Sequence, residues 1–381
     1  MANSNGGIIG PDNLPTGSSD GEVETFNSSG TYTAPSSTSE VQYLVIAGGG
    51  GGSPSHDGGG AGGYRSSVPG ESSGGGASAE ALSPVTGGSS YPVVVGGGGP
   101  GGLSPQPGPP YNPDNNAGHV GSNSSFNGVT SLGGGASGTI NWIPSGTRDG
   151  GSGGAFPRLP NPNTSKAGTT GQGYPGSYGA ITPGPGTPTA TGGPAFKVQI
   201  NGAGGGAGAE GTPIVPELDP EGYIPTSRGN AGLAGGAGVT SSITGSPVTR
   251  AGGGGGGEYI FARMSSPTGA IKFPNPGVSM PNVGGAGGAG GGGKAGNPLS
   301  GPFSPSNPTG TASGTANTGG GGGGGANQTT ANRPSPGFGY GSGGSGGSGV
   351  VIIKGPDVAG SASGVWDMNA LYDNVKAGTW V

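Results

Sequence analysis

The chain has 381 residues, of which glycine contributes 102 and proline 38; only 28% are hydrophobic and 6% aromatic, and the formal net charge is −5. So much Gly and Pro marks low complexity unless the glycine has a structural use, and the apolar side chains are too few to organise a body of this length around an ordinary core. The lack of any Lys/Arg cluster excludes nucleic acid and anionic membrane as partners, and the lack of Cys excludes disulfide staples and thiolate metal sites.

The opening MANSNGGIIGPDNLP carries neither a basic leader nor an apolar core of the kind a secretory signal needs. The longest apolar stretches, YLVIA at 43–47 and VVII at 350–353, fall far below the roughly 18 residues of a membrane span. The expectation is a soluble chain whose residues 1–21 form an N-terminal attachment arm, with Ile8 and Ile9 as candidate assembly contacts.

Residues 22–360 read as one glycine-rich body. Strand signals, β-branched and aromatic residues bounded by Gly, Pro and Ser, occur at EVETF and GTYTAP, at VQYLVIA (41–47), YPVVV (91–95) and SFNGVTSL (125–132). They recur at FKVQI (196–200), GEYIFAR (257–263) and GVVIIK (349–354). Between them lie glycine runs at about 48–52, 58–63, 96–102, 133–138, 202–208, 252–257, 284–293 and 319–325, with a Gly/Ser tract at 341–349.

These glycines are consecutive, so the Gly-X-Y pattern of collagen fails. Consecutive glycines adopt the same threefold extended helix as polyproline II but keep a donor at every residue, so several such helices can bond to one another side by side. The bland alternative is a set of flexible linkers, against which the number of runs argues. The expected fold is mainly β and irregular: a short-stranded, jelly-roll-like β framework combined with packed polyglycine II helices and one short C-terminal α-helix.

Pro, Asn, Tyr and Phe concentrate at 105–116, 141–146, 155–163, 172–179 and 212–225, which read as turn-rich loops gathered at the two ends of the stack. Their aromatics Tyr111, Trp142, Phe156, Tyr174, Tyr178 and Tyr223 are candidate receptor contacts, since exposed rings stack on sugars or anchor a protein partner; filling gaps between strands and loops is the alternative for each. Residues 361–381 differ in kind. Met368, Leu371, Tyr372 and Val375 follow helical spacing, with Asp367 as N-cap and Gly378 beyond the C-terminus. This amphipathic helix, flanked by Trp366 and Trp380, is expected to dock; Trp366, Leu371, Tyr372 and Trp380 are candidate assembly contacts.

The opening NGGIIGP, the junction YLVIAGGGGG, GGGAGGYR at 58–65, the late GGSGVVIIK and the terminal GVWDMNALYDNVKAGTWV together resemble glycine-rich virion structural proteins of marine tailed phages, especially those infecting cyanobacteria. The resemblance reaches both ends of the chain. It implies a fibre, adhesin or other external appendage, located on the virion after synthesis in the host cytoplasm. Its implied partners are other virion proteins, a host surface polysaccharide or receptor, and further copies of the chain, a trimer being the guess.

Signs of chemistry are weak. GAGGGGKA, Gly288 to Ala295, places Lys294 as a phosphate loop would but has Ala295 where Mg²⁺ binding needs Ser or Thr. GxSxG surrounds Ser152 and Ser345 without a strand–turn–helix context, and His56 and His119 are the only histidines available as bases. Glu217, Asp219 and Glu221 form one acidic cluster, the sole basis for a polysaccharide depolymerase, and alternation with Pro216 and Pro220 favours a solvated loop. The expectation is a non-enzymatic virion protein with no cofactor and no metal, the alternatives being a depolymerase or a purely architectural decoration of head, neck or tail.

Overall fold

The computed structural model describes residues 21–54, 56–103, 117–138, 149–156, 167–183, 196–213, 232–262, 284–296, 311–325, 327–328 and 339–355. The strands are β1 (Val23–Phe26), β2 (Gly30–Thr33), β3 (Glu40–Ile46), β4 (Tyr64–Ser66), β5 (Ser83–Pro84), β6 (Ser90–Val94), β7 (Ser124–Phe126) and β8 (Val129–Ser131). They continue with β9 (Ala180–Pro183), β10 (Phe196–Ile200), β11 (Val239–Ser241), β12 (Val248–Arg250), β13 (Glu258–Ala262), β14 (Asn327–Gln328), β15 (Gly339–Tyr340) and β16 (Val350–Lys354). The protein is mainly β, with several small antiparallel sheets and no α-helix among the described residues. The expected arm at 1–21 and helix at 361–381 fall, but for Gly21, outside them.

One sheet has the order β1-β16-β3-β4, with β5 also paired to β3, and a second has the order β2-β6-β7-β8. Successive side chains of a strand point to opposite faces. Val41, Tyr43 and Val45 of β3 therefore join Val351 and Ile353 of β16 on one face, where they meet Tyr32, Val93 and Phe126 of the second sheet in one buried cluster. Leu44, Ile46, Val350 and Ile352 point the other way and are buried with Tyr64 and Ile243. Burial on both faces is why β3 and β16 read as unbroken apolar stretches rather than alternating ones.

The β7–β8 hairpin turns on Asn127 (φ 43°) and Gly128 (φ 80°), the left-handed pair that a two-residue hairpin favours. The Asn127 amide also donates to Ser83 Oγ at 2.9 Å and to the Pro84 carbonyl at 2.8 Å, fastening β5 to the second sheet.

Glycine runs continue these strands. Residues 47–53 leave β3, 57–63 lead into β4, 96–102 follow β6, 117–123 lead into β7, and 341–349 lead into β16. In a β-sheet, N–H groups alternate between two directions. Here they rotate through three. Ala47, Gly50 and Ser53 donate to Gly63, Gly60 and Asp57; Gly48 and Gly51 donate to Ser122 and His119; Gly49 and Gly52 donate to Gly347 and Gly344. The carbonyls of the same stretch accept from Gly99, Gly134 and Gly322 among others, so 47–53 is ringed by six runs: 57–63, 96–102, 117–123, 133–138, 319–325 and 341–349.

The same rotation governs 251–257. Gly252 and Gly255 donate to Gly290 and Gly293, Gly253 and Gly256 to Gly236 and Leu233, and Gly254 and Gly257 to Gly59 and His56. Residues 57–63 and 319–325 are enclosed in the same way. Glycine is required here by close approach. A Cβ on Gly49, Gly50 or Gly52 would fall against the carbonyl oxygens of Gly320, Gly135 and Gly323, nearer than non-bonded atoms come. Inter-run peptide hydrogen bonds thereby offset the large entropy cost of ordering glycine, at a net gain of roughly 0.5–1.5 kcal/mol each.

Runs at the margin of the stack carry side chains in a fixed phase. In GGAGGAG, residues 284–290, Gly285 and Gly288 are buried while Ala286 and Ala289 are exposed. In AGHVGSN, residues 117–123, the Cβ positions of Gly118 and Gly121 face Gly51 and Gly48, whereas His119 and Val120 look outward. In 117–123 only every third residue must be glycine, whereas in 284–290 the returning stretch 291–296 also crowds Gly284 and Gly287, leaving only the phase of Ala286 and Ala289 free for a side chain.

Two segments differ from their sequence expectation. The tract 284–293 is not one run: it reverses at Gly290 (φ 98°) and Gly291 (φ 95°), so that 291–296 returns beside 284–290 and Ala295 donates to Gly285. Residues 172–179, expected as a loop, instead supply a marginal run in which Tyr174 donates to Gly206 and Ser177 to Ala203, three residues apart.

The two sheets described first cap one end of the stack. At the other end, between the enclosed runs 47–53 and 57–63, Ser53, His56 and Asp57 accept from Gly325, Gly257 and Gly202.

Candidate functional site

The residues singled out for chemistry are occupied by the packing. Gly288, Gly292, Gly293 and Ala295, in the stretch resembling a phosphate loop, donate their N–H groups to Gly253, Gly288, Gly321 and Gly285. Donors committed to neighbouring carbonyls form no phosphate cradle. Ser152 is fully buried in the run 150–156, and its peptide N–H donates to Ala61 at 2.9 Å. Ser345 is exposed at the margin, where its Oγ accepts from Gly101 at 3.2 Å. Neither serine stands on a strand–turn–helix elbow. His56 is buried in the end turn with φ 80°, and His119 is exposed on the outer side of 117–123. No three His, Asp or Glu side chains among the described residues are grouped to hold a metal ion.

Three of the six loop aromatics are described. Phe156 is buried, and its ring meets that of Tyr178 edge-on, centroids 6.5 Å apart at 85°. Their two runs lie side by side in parallel, Phe156 N donating to Ser177 O at 3.2 Å and Gly179 N to Phe156 O at 2.6 Å. Tyr174 is half-buried on the same marginal run as Tyr178. Tyr111, Trp142 and Tyr223 lie outside the described residues, as do Ile8, Ile9, Trp366, Leu371, Tyr372, Trp380 and the acidic residues Glu217, Asp219 and Glu221.

The capping sheets hold an ion pair, Arg65 with Glu80, that no sequence motif marks. Arg65 of β4 donates Nε to Glu80 Oε1 and Nη2 to Glu80 Oε2, both at 2.7 Å, and Nη1 to the Thr130 carbonyl at 3.2 Å. Tyr43 donates its hydroxyl to Glu80 Oε2 at 2.7 Å. The Glu80 carboxylate raises the Arg65 guanidinium above its ordinary value, and burial, followed by Glu80, pushes the Tyr43 phenol up. This two-pronged pair ties β4 to the second sheet through Thr130. Its sequence separation of fifteen residues follows no pattern that singles it out.

The most extensive arrangement is therefore the stack itself, in which backbones, rather than reactive side chains, are brought together. Residues 24–270 match a glycine-rich domain family. The chain belongs to that family. No curated protein matches it. The glycine-rich domain is physically larger than the matched stretch: Gly322 donates to Gly50 at 2.9 Å, and β16 lies between β1 and β3. The C-terminal runs thus complete a body that the N-terminal strands begin.

Proposed function

We propose that this glycine-rich domain is a non-enzymatic structural component of a tailed-phage virion, part of an external fibre or adhesin, in which packed polyglycine II helices stand on a jelly-roll-like pair of sheets. The observation that carries the reading is the rotation of N–H donors through three directions along 47–53 and 251–257. A threefold helix without internal hydrogen bonds directs its donors in this way. Such a stack is stiff, needs little apolar material and commits its donors to itself, properties that suit a particle appendage better than a catalyst. The junction motifs YLVIAGGGGG and GGSGVVIIK, which resemble those of marine phage virion proteins, support the assignment to a virion.

In this reading the assembly partners are other virion proteins and further copies of the chain, with a trimer expected, and host-surface polysaccharide or receptor is the external ligand. Labelling intact particles with antibody against the chain tests the assignment: label at a defined appendage is expected, and no label on any particle contradicts it. Host adsorption by particles carrying exchanged segments 105–116 and 141–179 tests attachment, and unchanged adsorption reduces the role to architecture.

A further inference from the structure

Serine recurs at every third position of 341–349, as Ser342, Ser345 and Ser348, and the stack gives this spacing a use. The run lies at the margin. Gly343 and Gly346 donate to Gly102 and Gly99, and Gly344 and Gly347 donate to Gly323 and Gly320, so Ser345 is left to donate in the third direction. There its peptide N–H is met at 3.2 Å by Oγ of Ser313, an exposed residue of the neighbouring run 311–315. The Ser345 hydroxyl, on an exposed residue itself, serves the next run in the same way, accepting from the Gly101 peptide N–H at 3.2 Å.

In 96–102, Gly99 and Gly102 donate inward to Gly49 and Gly52, and the other two phases face outward. Gly101 occupies one of them and is the donor held by Ser345. Pro100 occupies the other, exposed and with no N–H to offer. Donors of one phase recur three residues apart. A run added alongside would therefore need Gly97 with residue 100, or Gly98 with Gly101, or Ser345 with Ser342 or Ser348. Each of these sets lacks a member, because Pro100 has no donor and Gly101 and Ser345 are already engaged. An isolated exposed hydrogen bond contributes little against the entropy cost of association.

We infer that Pro100, Ser313 and Ser345 close this margin of the stack to lateral addition of a further glycine run, in the first instance a run of a second copy of the chain. Edge strands of β-sheets are protected by analogous means, proline and polar side chains that deny a newcomer a continuous ladder. The closure holds whether or not the protein belongs to a virion.

The test compares the full chain with a variant combining Pro100→Ala, Ser313→Ala and Ser345→Ala, which restores the missing N–H and frees the two capped ones without adding bulk. Sedimentation velocity over a range of concentrations should show the variant self-associating at least about tenfold more tightly than wild type, through several new peptide hydrogen bonds. In dilute solution its Gly101 amide should exchange about tenfold or more faster than in wild type. Ser313→Thr with Ser345→Thr, which keeps both hydroxyls, should sediment as wild type does. The inference is overturned if the triple variant sediments like wild type at every concentration. It is equally overturned if Ser122→Ala, which removes an exposed hydroxyl that caps no donor among the described residues, promotes association to the same degree. If the triple variant does not fold, exchange in wild type decides: Gly101 and Ser345 amides as fast as those of an unstructured chain overturn the closure, and slowed amides uphold it.

Discussion

The peptide nitrogen of Gly322 donates to the carbonyl oxygen of Gly50 at 2.9 Å, and both residues lie in runs enclosed on every side by other glycine runs. Neither position has room for a side chain. A Cβ on Gly322 would meet the Gly344 carbonyl and one on Gly50 the Gly135 carbonyl. Backbone contact of this kind takes the place that side-chain packing has in an ordinary core.

Substitution cost should depend on place in the stack rather than on glycine content. Gly50→Ala forces backbones apart and should destabilise by about 3 kcal/mol or more, at the upper range of overpacking. Gly97, on a marginal run, has open space at its Cβ position. Gly97→Ala should be neutral or stabilise by up to about 1 kcal/mol through the unfolded chain. Urea midpoints of the two variants measure the difference.

Phase within one marginal run should matter as much. In residues 284–290, Ala289→Ser alters an exposed position and should change stability by less than about 0.5 kcal/mol. Gly288→Ala, one residue earlier, places a methyl against the Gly236 carbonyl and should cost several times more. Thermal unfolding of the pair makes the comparison.

The capping sheets should fail at high pH. Burial raises the phenols of Tyr32, Tyr43 and Tyr64 above their ordinary value of 10.0. A raised folded-state value means that above pH 10 the unfolded chain has released protons that the folded chain still holds. Stability is therefore intact below that pH and falls as pH rises through it, by up to about 1.4 kcal/mol per pH unit for each such phenol. Tyrosine absorbance followed against pH should show late ionisation of these groups coincident with unfolding. Tyr43→Phe should reduce the steepness of the loss.

Two side chains outside the stack should carry disproportionate weight. Ile243, between β11 and β12, is 2% exposed, and Ile243→Ala should cost about 2–5 kcal/mol. Glu80→Gln removes the charge shared by Arg65 and Tyr43 and should cost about 1–3 kcal/mol. Denaturant titration of each variant checks both values.

Much of this architecture was legible in the chain. The strand signals at VQYLVIA, FKVQI and GVVIIK correspond to β3, β10 and β16 to within a residue or so, because β-branched residues between glycine runs leave little ambiguity. The unbroken runs 48–52, 252–257 and 319–325 proved to be enclosed ones, since neighbouring backbones leave almost no room for a Cβ; the enclosed run 57–63 admits one at Ala61, whose methyl joins the cluster of Leu44, Ile46 and Tyr64. The marginal runs were harder. AGHVGSN and QGYPGSY need glycine only at Gly118 and Gly121, or Gly173 and Gly176, and that spacing is lost among 102 glycines. Polar and aromatic residues at the outward phases made the second of these resemble a loop. The partner of each run was not legible either, because peptide hydrogen bonds leave no side-chain signature. Nor were Arg65 and Glu80, whose pairing depends on how β4 and the following segment are placed.

Amide hydrogen exchange along 252–257 and 319–325 tests the central claim most directly. If peptide N–H groups in these runs are held by neighbouring carbonyls, they should exchange as slowly as those of β3 and β16, with opening free energies near that of global unfolding. Exchange at the rate of an unstructured glycine chain, with β3 and β16 still protected, would contradict the account and leave the runs as flexible linkers.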